Sequence, residues 1–371
     1  MFHYTIKRLL LIIPTLFFIM LLNFVFINFA PGGPVEQMIA KLTGHSDGAT
    51  ARFSGGSGGD LGSAQAKFVK NVADGSISKY RGAQGLDPEI IERIEKMYGF
   101  DKPSYVRFWD MIKNYAVFDF GNSFFKDEKV TTLIKQKLPV SISLGLWTTL
   151  LVYLISIPLG IKKAFADGSR FDISTSFAIV IGDAIPSFLF AILLIVLFAG
   201  GSYWQIFPLR GLTSPDWAHM TIISKIKDYF WHICLPVSAM VIGGFASLTF
   251  MCKNSFIEEI SKQYVLTARA KGLSKNRVLY GHVFRNAMLI IISGFPSALA
   301  SIFFTSSLLI EVIFSLDGLG LLGFESVIQR DYPVIFGTLF IYTLIGLIIN
   351  LIGDLTYTLV DPRIDFSRRE I

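Results

Sequence analysis

Charge is scarce in this chain: Asp, Glu, Lys and Arg make up only 17% of its 371 residues, while 52% are hydrophobic and 14% aromatic. Soluble domains carry about 25% charged residues. The shortage excludes an ordinary soluble domain, because several apolar stretches also run past the roughly 18 residues that suit a bilayer span. Cysteine is nearly missing too. Cys234 and Cys252 share one apolar stretch, where a continuous straight helix would hold them about 27 Å apart, too far for a disulfide. The five histidines, His3, His45, His219, His232 and His282, are scattered without chelating spacing. Also missing are a Gly-x4-Gly-Lys followed by Ser or Thr and a His-Glu-x-x-His. Their absence removes ATP binding by this chain and zinc-protease chemistry from the expected functions. No catalytic or metal site is expected, and the chain is not expected to be an enzyme.

What is present is membrane-spanning sequence. An apolar run from Leu9 to Ala30 follows Lys7-Arg8 and ends at Pro31-Gly-Gly-Pro34. At about 22 residues it exceeds a signal-peptide core of about 7 to 15, so residues 1–31 read as the N-terminus and a retained first span. Five more apolar segments, near 139–162, 173–200, 230–252, 287–313 and 333–360, make six. The prediction is an all-α integral membrane protein. Lysines and arginines in the short loops set the orientation. Fifteen lie at the termini and in the second–third and fourth–fifth loops, against Arg210, Lys225, Lys227 and Arg330 opposite. Both termini are therefore expected in the cytoplasm. The formal net charge of +6 follows this topology and requires no nucleic acid.

Residues 32–138 are then an extracytoplasmic insert ahead of a five-helix transmembrane core, 139–371. Its 45–85 stretch, with Ser54-Gly-Gly-Ser-Gly-Gly-Asp60, reads as flexible. Residues 87–116 read as helical: Asp87-Pro88-Glu89 is a helix start, Ile90, Ile91 and Ile94 supply an apolar face, and Gly99 is a stop. Tyr105, Phe108, Trp109 and Ile112 continue the pattern in a second helix after Pro103. A structured lid or spacer and a surface for an external partner protein fit these residues equally.

The fourth–fifth loop, 253–286, is too patterned for a simple connector. Phe256, Ile260, Tyr264 and Ala268 recur every four residues on one helical face, leaving Lys262 and Arg269 solvated. Gly272 suits a left-handed cap and Ser274 the start of a second helix running through His282 and Arg285. The predicted helix–turn–helix elbow suits mechanical coupling to a partner. An amphipathic helix lying on anionic lipid has the same periodicity.

Tyr264-Val-Leu-Thr-Ala-Arg-Ala-Lys-Gly-Leu-Ser274 with His282-Val-Phe-Arg-Asn286 resembles the coupling loop of binding-protein-dependent ABC importer permeases. Ala268, Gly272 and His282 fall on that family's pattern, while Leu266 stands where the general pattern has an acid, a departure typical of the peptide-importer branch. Lys7-Arg8-Leu-Leu-Leu-Ile-Ile-Pro14, Ala30-Pro-Gly-Gly-Pro34, Asp119-Phe-Gly-Asn-Ser123 and Leu138-Pro-Val-Ser-Ile142 are similar to the B-type dipeptide and oligopeptide subunit. So are Asp317-Gly-Leu-Gly-Leu-Leu322, Arg330-Asp-Tyr-Pro333 and Val360-Asp-Pro-Arg363, and the long insert and Ile364-Asp-Phe366 look closest to the Yej-type branch, associated with peptides and microcin C. The resemblance implies the six-helix type I ABC importer permease (MetI-like) fold and peptide import by alternating access in a bacterial inner membrane. It also implies a second, C-type permease, two ATPase subunits that hold ATP and magnesium, and an extracytoplasmic binding protein. No cofactor is implied in this chain. Tyr264, Ala268, Arg269, Lys271, Gly272 and His282 become candidate ATPase-coupling residues.

Asp183, in Gly182-Asp-Ala-Ile-Pro186, reads as a mid-span acid that either lines the path or satisfies backbone freed by Pro186. Gly243, Gly244 and Gly294, the last close to Pro296, mark kinks, close helix contact or the path. Glu311 and Asp354 read as interfacial. Gly318 and Gly320 suit either a turn under an external partner or a plain turn, and Trp109 is a further candidate contact for the binding protein. A stand-alone secondary transporter or channel is the alternative function; it would need more buried carboxylates than Asp183 or an inverted repeat.

Overall fold

The computed structural model describes residues 2–29, 35–36, 38–39, 88–97, 99–201, 203–304 and 308–360. The predicted flexible stretch 45–85, His45, Asp87 and the tail arginines lie outside them. Among the described residues every regular element is helical, apart from one isolated bridge between Asn122 and Lys129.

Helix α1 (Phe2–Phe29) carries Pro14 in its interior; α2 (Pro88–Met97) and α3 (Ser104–Ala116) occupy the insert. Helix α4 (Val130–Phe165) starts nine residues before the predicted second span and absorbs Pro139 and Pro158. The core continues with α5 (Arg170–Ala184), α6 (Ser187–Phe198), α7 (Ile222–Ile242), α8 (Phe245–Ile260), α9 (Gln263–Ala270) and α10 (Lys275–Val278). A π-helical turn, Leu279–Val283, leads into α11 (Phe284–Phe304), followed by α12 (Leu308–Ile313), α13 (Leu319–Gln329) and α14 (Tyr332–Val360).

Among the described residues, four stretches are unbroken helices long and apolar enough to cross a bilayer: Tyr4–Asn28, Val130–Phe165, Lys275–Ala298 and Tyr332–Thr356. The predicted third and fourth spans are not single straight helices. Helices α5 and α6 meet at 93°, across Ile185-Pro186, and α7 and α8 at 53°, across Gly243-Gly244. Proline lacks the amide and clashes with the preceding turn, which accounts for the first break. The second bend lies between Cys234 and Cys252, so the straight-rod separation expected for them does not apply; both are free thiols.

The chain divides into two compact units, Met1–Ile12 with Gln136–Leu321 and Tyr342–Ile371, and Ile13–Lys135 with Leu322–Ile341. In the first, one apolar cluster joins Val152, Ala164, Leu248, Cys252, Phe256, Val265, Val283 and Ile291, and another joins Leu144, Ala191, Leu235, Ala239, Ile310 and Phe314. Close backbone approach locks this packing: a Cβ on Gly145 would fall 2.1 Å from the Ile302 carbonyl oxygen, and one on Gly160 2.7 Å from the Cys252 Cβ. The second unit is held by rings. Phe17 and Phe24 lie 5.7 and 5.2 Å from Phe108, and Tyr115 contacts Phe120 and Phe340 at 4.8 and 5.5 Å. Of the predicted insert face, Ile94 and Phe108 are buried, whereas Ile90, Tyr105 and Trp109 are exposed.

Candidate functional site

The stretch predicted as an elbow forms one, with more breaks than its periodicity suggests. The helix through Phe256 stops at Ile260, and Ser261-Lys262 separates it from α9, so the four-residue repeat crosses a joint. The repeat still buries a face: Phe256, Val265 and Ala268 enter the first cluster with Val278, Leu279 and Val283. Helix α9 ends in a Schellman motif. Gly272 adopts φ +83°, its N–H bonds to the Arg269 carbonyl at 2.9 Å, and the Leu273 N–H reaches the Ala268 carbonyl at 3.4 Å. A left-handed residue here favours glycine, since any Cβ would be strained against the backbone. Ser274 precedes α10 but its side chain makes no capping hydrogen bond, so the turn rests on Gly272.

Tyr264 pins the elbow from inside. Its hydroxyl donates to Glu259 Oε2 at 2.6 Å and accepts from Asn286 Nδ2 at 3.4 Å, linking the end of α8 to the start of α11. Burial, then the bond to Glu259, raises the phenol above its ordinary pKa; the same glutamate, hydrogen-bonded to Lys262, raises that ammonium. Arg269, Lys271, Gly272 and His282 are exposed, His282 on the π-helical turn, together with Lys275, Arg277 and Arg285. Leu266, where the general pattern has an acid, is 55% exposed, and Tyr280, on the same loop, is exposed as well. The outer surface of the elbow is thus basic with apolar side chains, and its inner surface is fixed.

The base of the elbow is an ion cluster that the sequence reading counted only as loop charge. Lys163 Nζ, with a fully buried side chain, lies 3.0 Å from Asp172 Oδ1 and donates to the Asp172 carbonyl (2.9 Å), Thr175 Oγ1 (2.8 Å) and Ser176 Oγ (2.7 Å). Lys253 Nζ bridges Asp172 Oδ2 at 2.7 Å and Asp167 Oδ1 at 2.8 Å. The end of α4, the start of α5 and the shaft of α8 are therefore joined by charge. One local signal was readable: Ser169-Arg-Phe-Asp172 has capping-box spacing, and Ser169 Oγ does accept the Asp172 N–H. The partner Lys253 is 81 residues away and left none.

The other candidates are dispersed. Asp183 lies in the middle of the bent pair α5–α6, exposed on the last turn of α5 beside the 93° break, with Pro186 exposed at the cap of α6. Gly243 and Gly244 form the bend between α7 and α8, where a Cβ on Gly244 would lie 3.3 Å from Val152. Gly294 has open space around it, which contradicts close helix contact there; the close approach is at Pro296, 2.7 Å from a Cβ on Gly353. Glu311 is fully buried, its Oε2 accepts the Leu321 N–H at 2.6 Å, and it caps the first turn of α13, where unpaired amides and the helix dipole favour a carboxylate. Gly318 is buried against it, since a Cβ would come within 2.2 Å of Glu311 Oε1, so Gly318 closes a carboxylate pocket instead of facing a partner; Gly320 is half-buried in the same turn. Asp354 pairs with Tyr4 at 2.9 Å and Arg8 at 3.1 Å. Trp109 is exposed and leans on Phe17 at 6.0 Å.

In the second unit the structure unites two of the motifs quoted from the sequence. Ser123 Oγ donates to Asp331 Oδ2, and the Phe124 N–H reaches Asp331 Oδ1 at 3.1 Å. Lys126 pairs with Glu325 at 2.9 Å. Burial pushes the Asp331 carboxyl above the ordinary range, with the Ser123 and Phe124 bonds pulling against it.

Residues 156–366 match the family described as "Binding-protein-dependent transport system inner membrane component". The chain is 60% identical over 368 residues to the peptidoglycan transport system permease protein YejB of Agrobacterium fabrum, covering 99% of each. It is 58% identical over 366 residues to the inner membrane ABC transporter permease protein YejB of Escherichia coli O157:H7, again covering 99% of each. The oligopeptide transport system permease protein AppB of Bacillus subtilis is 33% identical over 364 residues, covering 98% of this chain and 99% of the relative.

Proposed function

Because the chain belongs to the family of binding-protein-dependent inner-membrane transport components, we propose that it is the permease subunit of an ATP-driven importer of peptides, peptide conjugates such as microcin C included. Its partners are a second, C-type permease, two ATPase subunits that hold the ATP and magnesium, and an extracytoplasmic binding protein. Both termini lie in the cytoplasm, and cargo crosses by alternating access. The observation that carries this reading is the elbow: a short helix, closed by a Schellman turn at Gly272, with a pinned inner face and a basic outer one. A rigid projection of that kind transmits displacement from a moving ATPase, where a flexible loop would absorb it. The ion cluster of Lys163, Asp172 and Lys253 carries the motion onward into α4, α5 and α8.

Gly272→Pro tests this. Proline fixes φ near −65° and removes the N–H that bonds to Arg269. The subunit should insert and assemble, ATP hydrolysis should continue, and uptake should collapse; normal uptake by this variant refutes the coupling role. The 60% identical relative named for peptidoglycan favours a second cargo, peptides released from the cell wall. Competition between a labelled tripeptide and a wall-derived peptide for uptake separates the two.

A further inference from the structure

The unit of Ile13–Lys135 and Leu322–Ile341 carries an open cleft of about 360 Å³ that the coupling mechanism leaves unused. Its size lies within the range of small-ligand sites, which pair apolar walls with a few placed polar groups. Phe24, Phe100, Tyr115, Phe120, Tyr332 and Phe336 bring their rings to it. Those rings are held: Tyr115, Phe120 and Phe336 are buried, and Tyr115 meets Phe120 edge-on at 4.8 Å. The polar part is two cations and two carboxylates, Lys102, Arg107, Asp110 and Asp119, with the amide of Asn114 among them. Lys102 pairs with Asp110 at 3.3 Å. The Arg107 guanidinium lies 4.2 Å from the Phe100 ring centroid and donates to Asn28 Oδ1 at 2.8 Å.

The charge balance selects among occupants. A fatty acid or anionic headgroup would meet two carboxylates, and a simple cation would meet two cations. A zwitterion with a bulky apolar group satisfies both signs while the rings take the apolar part. We propose that this cavity is a subsite for a bulky apolar side chain of a short zwitterionic peptide, the charged groups receiving its ammonium and carboxylate ends. The proposal rests on the peptide reading above. It gives the insert a part in selecting cargo, beside any role in docking the binding protein.

The test uses membranes carrying the assembled transporter, irradiated with the tripeptide Ala-benzoylphenylalanine-Ala. Benzophenone inserts preferentially at methionine, and Met111 lines the cavity. Label should appear on Met111 and be displaced by Ala-Phe-Ala about tenfold better than by Ala-Ala-Ala, the worth of burying one aromatic side chain. Decanoate should not displace it. In cells with this permease alone, Asn114→Trp, which obstructs the cavity, should lower the ratio of Ala-Phe-Ala to Ala-Ala-Ala uptake. Three results overturn the subsite while leaving the peptide reading intact: no label on Met111 although Ala-Phe-Ala is taken up, displacement by decanoate as strong as by Ala-Phe-Ala, or an unchanged uptake ratio. Failure of unmodified cells to take up either tripeptide sinks the peptide reading, and the subsite with it.

Discussion

Asp172→Asn removes one charge from the centre of the elbow's base and nothing from its shape. The carboxylate stands between Lys163 Nζ at 3.0 Å and Lys253 Nζ at 2.7 Å, and it also accepts the Gly168 N–H at 3.2 Å. After the substitution Lys253 still has Asp167 at 2.8 Å, on a partly exposed carboxylate. Lys163 does not fare so well: its side chain is fully buried and keeps only neutral acceptors, the residue 172 carbonyl, Thr175 and Ser176. Stranding one member of a buried pair costs about 3–5 kcal/mol, and three surviving hydrogen bonds place this case near about 3 kcal/mol. Replacing both partners with apolar residues should recover most of that loss, since the desolvation of both charges is then relieved. The measurement is equilibrium unfolding of the purified permease from mild detergent into SDS, followed by circular dichroism. Asp172→Asn, Asp172→Leu, Lys163→Met and the double change Lys163→Met with Asp172→Leu form the set. A loss below about 1 kcal/mol for the single changes, or strict additivity in the double, would show that the cluster is not an energetic unit.

Two further outcomes follow from the packing. Gly145→Ala places a methyl 2.1 Å from the Ile302 carbonyl oxygen, a backbone atom that cannot rotate away, so a loss of at least about 1–3 kcal/mol is expected in the same unfolding assay; unchanged stability would show that the helices do not approach there. Asp331→Ala leaves the Ser123 hydroxyl and the Phe124 N–H without their acceptor in a buried place, worth about 1–3 kcal/mol. It should read out as faster proteolysis within residues 88–126, with Asp331→Asn milder; equal protease resistance of the alanine variant and the unmodified protein would discount any stabilising role of these hydrogen bonds.

The elbow was legible because its determinants are local. The spacing of Phe256, Tyr264 and Ala268 and the glycine at 272 act within a few residues of themselves, and the structure places Gly272 at φ +83° as that pattern suggests. Its inner joint at Ser261-Lys262 was not legible, because nothing in a four-residue apolar repeat marks a break that tertiary contacts impose. Lys163 and Lys253 looked like loop charges for a related reason: burial of a charge depends on a partner, and the partners lie elsewhere in the chain. At Gly294 the open space leaves a kink or the path, the other two readings of a glycine in a span.

What the sequence by itself determined is what short-range chemistry determines: helices of spanning length, the side bias of the basic residues, the left-handed turn at Gly272 and the lack of any phosphate loop. Those follow from the hydropathy of consecutive residues and from backbone sterics, which need no distant partner. Only the tertiary structure decided that two of the spans are bent, that Asp172 is shared by Lys163 and Lys253, that Gly318 seals the Glu311 carboxylate and that Ser123 meets Asp331. Each of these joins residues separated by a turn of the fold, and the free energy of a buried charge or a close backbone contact is set by what lies across the interface, which the order of residues along one helix does not contain.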